Sequence, residues 1–159
     1  MNRLIMRNPD NVAKCVHGGD IATAALLSTA AASATGTKVN QLAVVAGKKF
    51  EGVAMYTPIT QDLATGFSIV VTSVIEHSSA SGGTYVELSR GTLTITGTTA
   101  SGDHTGLAKA DASLVGAKKW IKPNLIFKGS ASDTEKDRAA TAISLVFFGP
   151  DHAPAATST

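Results

Sequence analysis

The sequence predicts an all-β protein: an antiparallel β-sandwich or barrel with an extended or partly helical N-terminal arm. Several segments alternate apolar and polar residues, which is the period of a half-buried strand. The stretches between them are rich in Gly, Ser, Thr and Asp, which favour turns. An alternation of strands and helices of the α/β type is missing from the pattern. The length of 159 residues suits one domain with an arm.

The strongest strand signal lies at residues 66–78, GFSIVVTSVIEHS. Odd positions from Phe67 to Ile75 fall on one face and even positions on the other, so this strand has an inner and an outer side. The other predicted strands are residues 39–47, 85–89, 92–96, 120–128 and 139–149, with Arg90-Gly91 as a hairpin turn. Polar loops are predicted at residues 78–83, 97–106 and 129–138.

Alternate apolar positions on several strands must share one interior. They predict a core made of Phe67, Ile69, Val71, Leu125, Phe127, Ile143, Leu145 and Phe147. Pro123 removes a backbone donor within the strand at residues 120–128, which predicts an edge strand or a bulge at that point.

The chain divides into an N-terminal arm at residues 1–36, a β-sandwich domain at residues 37–150 and a C-terminal tail at residues 151–159. The Ala-rich residues 21–34 suit either a short helix with Asp20 as its N-cap or an extended segment. They do not suit a secretory signal, because about twenty residues that include two aspartates precede them. Residues 1–34 and 151–159 are low in charge, and we expect neighbouring subunits to order them.

Charged residues make up only 16% of the chain and the net charge is +2, which is too weak to predict direct nucleic-acid binding. The apolar run at residues 21–34 is too short and too polar to span a membrane. Cys15 is the only cysteine, so neither an intrachain disulfide nor a Cys-based zinc site is expected. We expect it to be a small thiol that is buried or half-buried.

The sequence offers no convincing catalytic group, and we expect neither enzymatic activity nor a cofactor. Asp103-His104 is the best acid–base pair, but it lies in a predicted loop without a G-x-S-x-G nucleophile elbow. The histidines lack metal-type spacing with carboxylates. Gly47-Lys48-Lys49 fails as a phosphate-binding loop, since Leu42 and Lys49 replace the required glycine and hydroxyl residue.

The segment KKWIKPNLIF at residues 118–127 holds the candidate functional residues. Its alternation predicts a strand with a basic rim. Binding of single-stranded nucleic acid would require several exposed aromatic side chains, and the chain contains 5% aromatic residues. The predicted partner-binding residues are Lys118, Lys119, Trp120 and Lys122.

Residues 37–154 resemble the capsid cement (decoration) proteins of tailed bacteriophages. The resemblance rests on the order of a long Val/Ile strand (FSIVVTSVIEHS), a Gly/Ser turn, Thr-containing strands, a basic-aromatic strand (AKKWIKPNLIFKG) and a final strand that ends in Gly-Pro. It implies a jelly-roll-like sandwich without enzymatic activity, made in the host cytoplasm and placed on the outer capsid surface of the virion. The implied partners are the major capsid protein and further copies of the chain, as a dimer or trimer.

Two other classes of function stay open. One is a receptor-binding or carbohydrate-binding β-module of a phage tail, for which Tyr56, Tyr85 and Trp120 are the available aromatic residues. The other is a hydrolase on a β-scaffold, for which the sequence provides no constellation of residues. Copy number separates the first class from a cement protein, which is present many times on each particle.

Overall fold

A computed structural model describes residues 13–24, 31–44, 50–98, 102–130 and 138–150 of the chain. These residues form nine strands and one helical turn. The elements are β1 (Ala13–Ala24), β2 (Ala32–Thr35), β3 (Val39–Asn40), α1 (Gln41–Val44), β4 (Phe50–Asp62), β5 (Ser68–Ser78), β6 (Val86–Thr96), β7 (Asp103–Ser113), β8 (Trp120–Gly129) and β9 (Arg138–Pro150).

The strands form two antiparallel sheets with the topology of a jelly roll. One sheet has the order β1-β9-β4-β7, and the other has the order β2-β8-β5-β6, with β3 also pairing with β8. Each sheet thus places a strand from the end of the chain between strands from its beginning and middle, as the two Greek keys of a jelly roll do. The predicted fold class is confirmed.

The core lies between the two sheets and contains the predicted side chains. Ile69, Val71, Leu125, Phe127, Ile143, Leu145 and Phe147 are fully buried, and Phe67 packs against them while partly exposed. The rings of Phe147 and Phe50 stack at a tilt, with 5.4 Å between their centroids. The prediction of a shared interior from alternating apolar positions is therefore confirmed.

The core also contains a hydroxyl group that costs stability. Ser73 lies on the inner side of β5, is fully buried, and its Oγ atom has no hydrogen-bond partner among the described residues. A buried polar group without a partner loses its hydrogen bonds to water and gains nothing in return.

We expect Ser73→Ala to raise the free energy of unfolding by about 1 kcal/mol, because the substitution removes the unpaired hydroxyl and little volume. Chemical denaturation of the two proteins measures the difference. Ser79→Ala, in an exposed turn, is the matched control and should change nothing. A destabilised Ser73→Ala protein would contradict the prediction.

The N-terminal part of the sandwich differs from the prediction of a separate arm. Residues 13–24 pair with β9 and residues 32–35 pair with β8, so both segments belong to the sheets. The described part of the Ala-rich stretch is extended rather than helical, since neighbouring strands satisfy its backbone groups. Residues 1–12, 25–30 and the tail at 151–159 lie outside the described residues. Cys15, expected to be buried or half-buried, is exposed on β1.

Two long strands were missing from the prediction. β4 was not recognised, and the predicted loop at residues 97–106 contains the start of β7. The inner positions of β7 are Ala108, Ala110 and Ala112, which are buried although their side chains are small. Alternation of alanine with polar residues is a weak hydrophobic signal, which explains why the strand was overlooked.

The predicted strand at residues 39–47 is largely replaced by other structure. After the two residues of β3, the chain forms the single turn α1, and residues 45–49 lie outside the described part. The Asn40 side-chain oxygen accepts a hydrogen bond from the Leu42 N–H at 3.1 Å, which caps the turn. Capping by Asn40 therefore favours the helical turn over the strand that the apolar run predicts.

The hairpin turn predicted at Arg90-Gly91 is wrong, because β6 runs through both residues. A side chain at Gly91 would overlap the Lys109 carbonyl group on β7. The glycine therefore permits close packing of β6 on β7, the edge strands of opposite sheets. At the other edge of the sandwich the Thr37 N–H donates a hydrogen bond to the Gly18 carbonyl oxygen of β1 at 2.6 Å.

The edge position or bulge predicted from Pro123 is also wrong, because the register of β8 with β5 continues unshifted across this residue. β8 is a central strand that pairs with β5 on one side and with β2 and β3 on the other. The Pro123 carbonyl oxygen accepts a hydrogen bond from the Gly36 N–H at 3.0 Å, between the end of β2 and the start of β3. The missing proline N–H thus coincides with a break in the neighbouring strand, where no ladder bond is lost.

Candidate partner-binding site

The predicted site residues lie at one end of the sandwich, where β7 leads into β8. Leu114 to Ala117 form a tight turn in which the Ala117 N–H donates to the Leu114 carbonyl oxygen at 2.9 Å. Gly116 occupies its third position with φ of 78°, which identifies a type II turn. Val115 at the tip is 82% exposed. The turn therefore presents an isolated apolar side chain just before the basic pair.

The backbone of the basic pair is held firmly. The Lys118 N–H donates to His77 Nδ1 at 3.1 Å, and the Lys118 carbonyl oxygen accepts from Gln41 Nε2 at 2.7 Å. The Lys119 carbonyl oxygen accepts from the Gln41 N–H at 3.0 Å. Both lysines are exposed. The fold thus fixes the position of their backbone while the charged ends remain in solvent.

Trp120 and Lys122 are less accessible than the two lysines before them. Trp120 begins β8, is half-buried, and pairs with Asn40 of β3 and Ser78 of β5. Lys122 lies on the outer side of β8, and its Nζ atom is 2.8 Å from Glu76 Oε2. The side chains of this ion pair are only 17% and 18% exposed. Lys122 is therefore neutralised within its own sheet, unlike the free basic rim that the sequence predicts.

A tyrosine missing from the predicted site joins Lys122 to a further lysine. The Lys122 Nζ atom lies 4.5 Å from the ring centroid of Tyr85, and Lys38 Nζ lies 5.6 Å from the same centroid. Lys38 also donates to the Ser81 carbonyl oxygen at 2.9 Å. The alternation of β5 and β8 places Glu76 and Lys122 on outer faces, but only their register makes them neighbours.

His77 is held in its neutral form at this end of the sheet. Partial burial of the ring lowers the pKa of His77, and the positive charge of Lys118 lowers it further. The Nδ1 atom accepts the Lys118 N–H, so the remaining proton of the neutral ring is on Nε2. Protonation of the ring would remove this acceptor.

We expect acid to destabilise the protein through His77. Because its pKa is lower in the folded state, the unfolded chain binds the proton first, and stability falls as the pH drops below about 6.5. Thermal unfolding of the wild type and His77→Gln is compared at pH 7.5 and 5.5. The loss of stability at the lower pH should be smaller in His77→Gln, whose amide oxygen still accepts a hydrogen bond. An equal loss in both proteins would exclude His77 as a source of the pH dependence.

The described residues assemble no catalytic or metal-binding group at this site. Asp103 and His104 are neighbours on β7, so their side chains point to opposite faces of the strand and do not form an acid–base pair. Within the described ranges, no cluster of three or more His, Cys, Asp or Glu side chains could hold a metal ion. In the same part of the chain, no helix is long and apolar enough to cross a membrane.

The three aromatic residues that the sequence offers for sugar binding are divided between the sheets. Tyr56 is on β4 in the four-stranded sheet, whereas Trp120 is on β8 in the other sheet and Tyr85 contacts Lys122 of that strand. They therefore do not form one stacking platform.

Comparison with known proteins gives only structural matches. No family model and no curated protein sequence matches the chain. A chain from the structure of infectious bursal disease virus, Gx strain, aligns with a TM-score of 0.45 and 12% identity, covering 86% of this protein and 32% of that chain. A chain from the empty head of turnip yellow mosaic virus aligns with a TM-score of 0.36 and 13% identity, covering 99% of this protein and 92% of that chain. Both chains come from virus structures. The protein spans about a third of the length of the first chain.

Proposed function

We propose that this protein is a structural component of a virus particle that binds the outside of an icosahedral phage capsid and cements neighbouring major capsid subunits. The observation that carries the proposal is the exposed tip at one end of the jelly roll. There Val115 offers an apolar contact, and Lys118 and Lys119 follow it in the chain on a backbone fixed by hydrogen bonds. An apolar centre with a polar rim is the usual composition of a protein–protein contact.

A cement protein opposes the outward pressure of packaged DNA by bridging subunit boundaries. Each contact needs only modest affinity, because an oligomer engages several sites at once and many copies act on each shell. The low charge of the chain supports contact through apolar and hydrogen-bonding surface. Lys118 and Lys119 supply rim charges, which mainly control the association rate and its dependence on salt.

The function is tested with purified particles that carry this protein and with particles depleted of it. We expect depleted particles to lose their DNA at a lower temperature, and expect the protein in many copies on the shell by cryo-microscopy. Depleted particles that are as heat-resistant as complete ones would contradict the cement function. A few copies at the tail would favour a receptor-binding module instead.

The basic rim can be tested by charge reversal. Lys119→Glu should weaken binding to depleted particles, and most strongly at low salt, where charge interactions are least screened. Lys128→Glu is the matched control, because Lys128 is equally exposed on β8 but at the other end of the strand. Equal binding by both variants would exclude Lys119 from the interface.

The terminal segments form a further part of the proposal. Neighbouring subunits would order residues 1–12 and 151–159, and contact over many residues would offset an ordering cost of about 1–2 kcal/mol per residue. Because β1 begins at Ala13, the deletion that tests this must stop at residue 12. Particle binding should then be lost while the sandwich stays folded. Undiminished binding would refute this role.

A further inference from the structure

We propose that the outer face of the four-stranded sheet binds the same face of a second copy, about a two-fold axis perpendicular to the strands. This interface is separate from the tip at Val115 and does not depend on the capsid-binding function. It is inferred from the strand registers, which place the outward side chains of β1, β9, β4 and β7 in level rows.

The face is unusually apolar for a surface exposed to water. Tyr56 is 37% exposed, Leu107 43% and Phe148 39%, and all three side chains point outward from this one sheet. The Phe148 ring lies over Gly52, where a side chain would overlap it. Val146 and Cys15 continue the apolar surface across β9 and β1. Contiguous apolar patches of this kind usually mark a protein contact.

The face also carries two charges of opposite sign at adjacent levels of β7. Lys109 and Asp111 occupy successive outward positions of β7, and both are exposed. The Lys109 Nζ atom lies 6.0 Å from the ring centroid of Tyr56. Among the described residues Asp111 forms no ion pair. Both charges are thus available to a partner.

We place the axis so that the two charges pair. Tyr56 is level with Lys109, and Ala54 is level with Asp111. Two identical faces related by a two-fold axis midway between these levels place Lys109 opposite Asp111 of the second copy, and Asp111 opposite Lys109 of the second copy. Such an isologous contact forms each pair twice.

The same axis also matches side chains by size. It brings Tyr56 opposite Ala54 of the second copy, where a small residue leaves room for the ring. On β9 it brings Phe148 opposite Ala142 of the second copy, since these positions lie at equal distances on either side of the axis. Sheets pack face to face at about 10 Å when large and small side chains interdigitate. Charge and shape therefore select the same arrangement.

Charge reversal tests the pairing directly by sedimentation equilibrium. Lys109→Glu and Asp111→Lys should each raise the dimer dissociation constant about tenfold or more, because each creates two like-charge contacts. The double variant Lys109→Glu/Asp111→Lys restores opposite charges and should recover dimerisation. Lys128→Glu, on the other sheet, is the control. Circular-dichroism melting checks that each variant remains folded.

Cys15 supplies an independent readout, since it is the only cysteine and lies on this face. In the proposed dimer the two Cys15 residues are offset by about 7 Å along the strands, and the two sheets are about 10 Å apart. Together these give a distance of about 12 Å between the two Cys15 backbones. A bis-maleimide of matching length should join the wild-type and double-variant subunits but neither single variant. A monomeric wild type, or a double variant that fails to recover, would overturn the proposal. If the single variants still bind the capsid, the proposed cement function stands independently of the dimer.

Discussion

Phe147→Ala is expected to lower the free energy of unfolding by about 3–5 kcal/mol. The ring is fully buried between the sheets and stacks on Phe50. Truncation leaves a cavity that strands from both sheets cannot fill without breaking their ladders. Equilibrium unfolding in denaturant measures the loss from the transition midpoint at constant slope.

The adjacent residue provides the matched control. Phe148 has the same side chain, but β9 turns it outward, where it is 39% exposed. Phe148→Ala in dilute protein should therefore cost much less than Phe147→Ala. Equal losses would mean that the alternation along β9 is not as described, and the assignment of inner and outer faces would fall with it.

Gly91→Ala is expected to destabilise the protein by about 3 kcal/mol, the upper end of the range for overpacking. The new methyl group would overlap the backbone carbonyl of Lys109, which cannot move aside like the end of a flexible side chain. Either β6 or β7 must shift, and both are held in their own sheets.

Gly82→Ala separates this steric effect from the general effect of replacing glycine. A side chain at Gly82 would meet no atom within 4 Å, so the substitution should leave the unfolding free energy nearly unchanged. Thermal and chemical unfolding of both variants decide the point. If Gly91→Ala were as stable as Gly82→Ala, the close approach of the two edge strands would be disproved.

Strong alternation of large residues made β5, β8 and β9 predictable from the sequence. The core residues Val71, Phe127 and Phe147 follow directly from that period. β7 was hidden, because its inner side chains are alanines. Gly91 was misread, since a glycine within a strand signals either a turn or a close approach, and only the neighbouring β7 decides which.

The candidate site was predictable only in part. The position of Lys118 and Lys119 before an amphipathic strand indicates their exposure. The ion pair of Lys122 with Glu76 depends on the register of two strands far apart in sequence. The hydrogen bond from the Gln41 side chain to the Lys118 carbonyl oxygen depends on the turn that Asn40 caps. In the sequence, the apolar run at residues 39–47 predicts a strand there and hides this turn.

The contacts at Gly91 and Gly18 affect how the protein associates at high concentration. A sheet border with unpaired amides recruits strands from other molecules, which is the first step toward fibrils. Here the borders of the two sheets meet each other, β6 against β7 and β1 against Thr37. At high concentration the molecules can therefore associate reversibly through their folded surfaces. Where the borders meet in this way, they are less accessible to strand exchange, which would lock molecules into aggregates.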